Sequence, residues 1–212
     1  AIVGDDPMLL ADEDPQKVGR VNKANSQALT PARERITRFD INWNIVAWPG
    51  LALAKRMFPD LPENEAQAKL SEAIFSASRV NVKDPIEAWN KHNKNLRERS
   101  NWLNQQNFSS LHFSGPGTDL TIGLADDHEW MGGASLAKNG IICNPNIPSE
   151  EVFTTPHCLN VEGTVSSTKP LSHQGTLIDN IRVKFESGSI TEAHASKGEA
   201  VSYTHLRAHE TG

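Results

Sequence analysis

From about residue 14 to 38 the chain is polar, rich in Lys, Arg, Asn and Ala, and mostly of helix-forming types. Pro31 follows Thr30, an N-cap type with proline at the first helical position, so a second helix is expected to begin there. "INWNIVAWP" alternates on Ile41, Trp43, Ile45 and Ala47, a strand pattern stopped by Pro49. A short helix is expected over "LALAKRMF". In "PENEAQAKLSEAIFSAS" the residues Ala66, Leu70, Ile74 and Ala77 form one apolar helical stripe. "DPIEAWNKHNKNLRERSNWLNQQ" opens with Asp84 as N-cap and Pro85 behind it, and Ile86, Trp89, Leu96 and Leu103 are expected to line one face.

After residue 106 the period changes to two. "SSLHFS" and "DLTIGLA" alternate on Leu111 and Phe113, then on Leu120, Ile122 and Leu124, with "GPGT" as the turn of a hairpin. "NVEGTVSST" and "IRVKFESGSITEAHA" are further strands, the second folded at "ESGS". Helices and strands alternate first and strands dominate later. This predicts an α/β class: a helix-rich α/β N-terminal part that gives way, near residues 105 to 140, to a β-rich part.

The hydrophobic share of 37% and charged share of 22% supply a core and exclude disorder by composition. A net charge of −5 without a basic stripe argues against nucleic acid as a partner. No apolar run approaches the roughly 20 residues a membrane helix needs, so no membrane partner is expected. Cys143 and Cys158 have no metal-type spacing; they suit free thiols in a reducing compartment or one disulfide.

Both ends bear on the interpretation. The chain opens "AIVGDDPMLL" without an initiator Met, and Ile2 and Val3 before Gly4 read as the end of a strand cut through its middle. At the other end, "VSYTHLRAHETG" resembles the translated sequence of an adapter used in DNA sequencing libraries, so residues 201–212 are expected to be a non-native tail. His205 and His209, four apart with Glu210 behind, have the spacing of a helical zinc site, but they lie in that tail.

Other candidate residues have plainer roles. Asp126, Asp127, His128 and Glu129 are consecutive, and four consecutive residues rarely converge on one ion, so an exposed loop is expected. His112 reads as a half-exposed strand residue, and His92 and His157 have no partner at a diagnostic spacing. "GPGT" lacks the lysine and following helix of a phosphate loop. The adjacent Glu150 and Glu151 in "NIPSEEVFTTPH" are a different case. Like charges this close are kept where they face water or where a cation offsets them. The pattern leaves open a solvated turn and a single inward-pointing carboxylate.

At "NIPSEEVFTTPH" the chain resembles the thermophilic-type metallo-aminopeptidases, the aminopeptidase S/T family. That family carries Asn-x-Pro-Thr-Glu-Glu-Val-Phe-Thr here, with Ser149 standing in this chain where threonine is usual. "GDDP", "DPIEAWNKHNKNL", "LHFSGPGTDLTIGL", "VEGTVSSTKPL" and "FESGSITEAHASKGEA" resemble the family in the same order, across residues 1 to 200. The resemblance implies a cytoplasmic exopeptidase that removes N-terminal residues from peptides with water activated by two divalent metals, zinc or cobalt. It implies a homodimer and peptide substrates. It also implies that one of Glu150 and Glu151 is a metal ligand; no catalytic residue is assigned.

The family's later glutamate, acidic, histidine and tyrosine motifs do not occur in residues 152 to 200. A piece of the enzyme, itself inactive, is therefore expected. Its parts are an N-terminally truncated α/β domain over 1–135, the start of a β-rich metal-binding domain over 136–200, and the tail. Two rival readings are a noncatalytic α/β binding or assembly module, and a metal-independent hydrolase using Glu150 or Glu151 as acid or base.

Overall fold

The computed structural model describes residues 1–4, 6, 8–173 and 176–197. His205 and His209 lie outside the described residues. The order begins β1 (Ile2–Val3), α1 (Pro15–Thr37), β2 (Ile45–Ala47), α2 (Leu51–Met57), α3 (Glu63–Ala77) and α4 (Pro85–Gln106). It continues with β3 (Ser110–Gly115), β4 (Thr118–Leu124), β5 (Met131–Gly132), β6 (Ser135–Leu136), β7 (Ile142–Cys143), β8 (Asn146–Ile147) and β9 (Val152–Phe153). The last strands are β10 (Pro156–Ser166), β11 (Leu171–His173), β12 (Thr176–Ile178), β13 (Arg182–Glu186) and β14 (Ser189–His194). The class is α/β. The described residues form two compact units that interleave along the sequence, one drawn from residues 1–9, 16–102 and 131–153, the other from 10–15, 103–130 and 154–197. Compactness therefore groups the residues differently from the two consecutive stretches drawn from the pattern.

The first unit holds a three-stranded parallel sheet in the order β1-β2-β8. Val46 is the central register point, opposite Ile2 on one side and Ile147 on the other. Helices α2 and α3 pack through Ala54, Ala66 and Leu70, with Leu53, Phe58, Leu61 and Ile74 around them. Two alanines with no exposed surface at this crossing let the helix backbones approach closely. Helix α4 starts where expected: the Glu87 amide donates to Asp84 Oδ1 at 2.9 Å, and Pro85 occupies the first turn, where a missing N–H costs nothing.

Four local expectations are corrected. First, α1 runs unbroken through Pro31. Proline's φ suits a helix, and most of α1 is exposed, so water can satisfy the carbonyl left without a donor. Second, the strand at "INWNIVAWP" is limited to Ile45–Ala47, with Ile41 and Trp43 outside it. Third, Ala77 is exposed at the end of α3, and the following Ser78 is buried instead. Fourth, Ile86 is 76% exposed. It lies roughly 80° around the helix from Leu96. The inward face of α4 in this unit carries Trp89, His92, Asn93, Leu96 and Ser100.

The second unit is built on a five-stranded antiparallel sheet in the order β14-β13-β10-β4-β3. Both expected hairpins are present. Gly115 pairs with Thr118 around Pro116 and Gly117, and Gly117 takes the φ of +72° that the turn requires. Glu186 pairs with Ser189 around Ser187 and Gly188. Leu120, Leu124, Val183 and Ala193 are the buried apolar positions of these strands. Both cysteines are free thiols.

Candidate metal-ligand segment

The segment Ser149–Glu150–Glu151 leads from the β8 edge of the parallel sheet into β9. Its entry is fixed by short pairing: Val152 lies opposite Gly132 and Phe153 opposite Met131. A Cβ on Gly132 would stand 2.8 Å from Val152 Cγ1 and 2.9 Å from the Glu151 carbonyl oxygen, so this approach needs glycine.

Its other side is held by groups from the end of α3 and the start of α4. His92 Nε2 lies 2.6 Å from the Ser149 carbonyl oxygen. A carbonyl only accepts, so His92 carries its proton on Nε2 in this arrangement. Glu150 Oε1 lies 2.6 Å from Arg79 Nη1, and its other oxygen is 3.7 Å from His92 Nε2. The hydrogen bond from Arg79 holds the Glu150 carboxyl below its ordinary range, and partial desolvation opposes the shift. The Arg79 guanidinium lies 5.6 Å over the Trp89 ring. Trp89 Nε1–H donates to the Ser78 carbonyl at 2.8 Å, and the ring meets His92 edge-on with centroids 5.5 Å apart. Glu151 is exposed.

The two glutamates therefore have different surroundings. Glu150 already has a fixed cation. Glu151 has the open carboxylate. Sequence reasoning set His92 aside and did not single out Arg79, because their partners lie far along the chain. The other candidates stay apart from this segment in their contacts. Asp126, Asp127 and His128 line a cavity of about 610 Å³ in the second unit, with His157 and Asn160. Both aspartates are exposed, and His128 Nδ1 is 3.0 Å from the Ala125 carbonyl oxygen. His112 Nε2 is 2.7 Å from Asp119 Oδ1, with both side chains exposed. Among the described residues, no three His, Cys, Asp or Glu side chains are grouped so as to hold a metal ion.

Comparison with known proteins supplies what this geometry leaves out. The family model for thermophilic metalloproteases, M29, matches residues 1–211, and the chain belongs to that family. It is 50% identical over 201 residues to aminopeptidase T of Thermus thermophilus, covering 95% of this chain and 49% of that protein. It is 41% identical over 192 residues to aminopeptidase 2 of Geobacillus stearothermophilus, covering 91% and 46%. The solved structure of wild-type AmpT from Thermus thermophilus aligns with a TM-score of 0.87 at 49% identity, over 96% of this chain and 50% of that one. The chain spans about half the length of the curated relatives it matches. Metalloprotease membership implies a divalent metal. The described residues do not by themselves form such a centre, and the exposed carboxylate of the segment is that of Glu151. No helix among the described residues is long and apolar enough to cross a membrane.

Proposed function

We propose that the protein carrying this chain is a metal-dependent aminopeptidase, acting on the N-terminal residues of peptides, and that Glu151 is this segment's metal ligand. The observation that carries the second part is the ion pair at 2.6 Å that occupies Glu150 and leaves its neighbour open. The relatives' names, aminopeptidase T and aminopeptidase 2, support the first part. Two metals, zinc or cobalt, a homodimer and a cytoplasmic setting complete the reading, as the family resemblance suggests. When bound, such a metal pair would supply a water whose pKa falls from about 15.7 toward 7.

The part played by this chain is structural and electrostatic. Glu151 contributes an anionic oxygen donor, the type hard and borderline divalent ions require. The β9 pairing fixes where its main chain runs. Glu150, its pKa lowered by the hydrogen bond from Arg79, is engaged in an ion pair and so is poorly suited to act as a general acid. The test uses the complete gene product that carries this chain and a chromogenic amino-acyl substrate. Chelator should abolish turnover. Glu151→Gln keeps the shape and removes the charge, so it should lose most activity and one metal equivalent. Full metal content and unchanged turnover in that variant would refute the assignment.

A further inference from the structure

Strand β10 does not run straight beside β4. Pro156 lies opposite Leu124 and Val161 opposite Ile122, so the four residues 157–160 stand against the single residue Gly123. A bulge gives up ladder hydrogen bonds, and bulges concentrate where a strand re-aims its side chains. Two glycines make room for this one. A Cβ on Gly123 would collide with Asn160 Nδ2, and one on Gly188 would collide with the Cys158 carbonyl oxygen. The Gly188 amide donates to the Val161 carbonyl at 3.0 Å, which seats the β13–β14 turn against the bulge.

The bulge supplies His157 and Asn160 to the wall of the 610 Å³ cavity in the second unit, and the turn after β4 supplies His128. Both histidines are half-buried. Each has Nδ1 tied to the main chain, in opposite senses. His128 Nδ1 donates to the Ala125 carbonyl at 3.0 Å, because a carbonyl only accepts; the neutral ring then keeps a lone pair on Nε2. His157 Nδ1 accepts from the Leu159 amide at 3.3 Å, so its proton sits on Nε2. Neither Nε2 has a partner among the described residues. One wall thus offers a fixed acceptor and a fixed donor. A peptide unit, which donates and accepts in one plane, matches both. Asn107 and Asn160 add side-chain amides of the same two-way kind, and Phe108 and Leu124 add apolar surface. Among the described residues no Lys or Arg lines the cavity, and its charged side chains are those of Asp126 and Asp127. Such a wall repels an acidic ligand.

We propose that this cavity binds a peptide segment free of acidic residues, one peptide unit donating to His128 Nε2 and accepting from His157 Nε2–H. The choice of a peptide over other ligands that both donate and accept rests on the aminopeptidase reading above.

The test measures binding to the complete gene product by isothermal titration, apart from turnover. The probes are acetyl-Ala-Leu-Ala amide, whose blocked ends leave no N-terminal residue to remove, acetyl-Ala-Glu-Ala amide, and maltotriose, a neutral ligand rich in hydroxyls. The first should bind. The acidic peptide should bind about tenfold more weakly at low salt, with the gap closing as salt rises. Maltotriose should not bind. His128→Phe and His157→Phe keep a ring and remove one hydrogen bond each, so each should weaken the first probe about fivefold to tenfold. Thermal midpoints show whether the variants fold. If either does not, the ring nitrogen-15 signals of the wild-type histidines decide it, because both Nε2 signals should move as the first probe is added. No binding of that probe, unchanged affinity in both phenylalanine variants, stationary Nε2 signals, or binding of maltotriose in its place would overturn the proposal. Peptide binding beside turnover indifferent to chelator supports this site and sinks the aminopeptidase reading alone. Chelator-sensitive turnover without peptide binding sinks this site alone.

Discussion

Truncating Leu96 to alanine separates the packing in the structure from the packing expected of the sequence. Leu96 has no exposed surface, and Ser100, one turn on, is 5% exposed with its hydroxyl donating to the Leu96 carbonyl at 3.1 Å. Opposite it, the Cβ position of Gly133 lies 3.4 Å from Leu96 Cβ. With helix backbone on one side and a tight glycine loop on the other, the site has little freedom to collapse. Leu-to-Ala changes cost about 2.7–5 kcal/mol, rising with the cavity left behind. About 3 kcal/mol is expected here, or a fall in the midpoint of roughly 6–12 °C for a chain of this size. Ile86, assigned to the same face by its spacing, is 76% exposed, so Ile86→Ala should change stability by no more than about 0.5 kcal/mol. Urea titration of both variants, followed by tryptophan fluorescence, measures the contrast directly. Equal losses, or a Leu96→Ala loss below about 1 kcal/mol at an unchanged m-value, would refute the assigned face of α4.

Asp84→Ala removes the acceptor for the Glu87 amide and should cost about 1 kcal/mol by thermal unfolding, whereas Asp84→Asn should cost much less. The Glu150–Arg79 pair should contribute at most about 0.5 kcal/mol, because Glu150 is well exposed. Its folded pKa is lowered from 4.5, so that contribution is present above pH 4.5 and lost as pH falls through the folded value. The stability difference between wild type and Glu150→Gln should accordingly be largest at pH 7 and shrink progressively as pH falls below 4.5, as denaturant melts across that range will show. The 212-residue chain alone should release no N-terminal residue from a chromogenic substrate in the presence of zinc or cobalt, because its described residues offer no complete metal-binding group. Chelator-sensitive turnover by that chain would contradict this.

The features legible in the sequence were those whose causes are local. Asp84 and Pro85 mark the start of α4 because capping acts across three residues. The two hairpins show themselves because each turn and its flanking alternation lie within one short stretch. Pro31 misled because Thr30–Pro31 has the local signature of a helix start, whereas the helix runs on through it. Ile86 misled because spacing gives an angle around a helix and says nothing about whether a neighbour covers the first turn. Glu150 and Glu151 were legible as a pair of which one was expected to bind metal, but the sequence did not say which. The distinction comes from Arg79 and His92, and the His92–Ser149 contact joins residues 57 positions apart. No periodicity records such a contact.

The grip of His92 on residue 149 is on the main-chain carbonyl, not on the side chain. Every amino acid brings that oxygen. The motif can therefore drift between serine and threonine at this site without disturbing the glutamates behind it. Replacing His92 would remove the hydrogen bond that holds this carbonyl. A mutational scan should find tolerance at position 149 and intolerance at His92, 57 residues earlier in the chain.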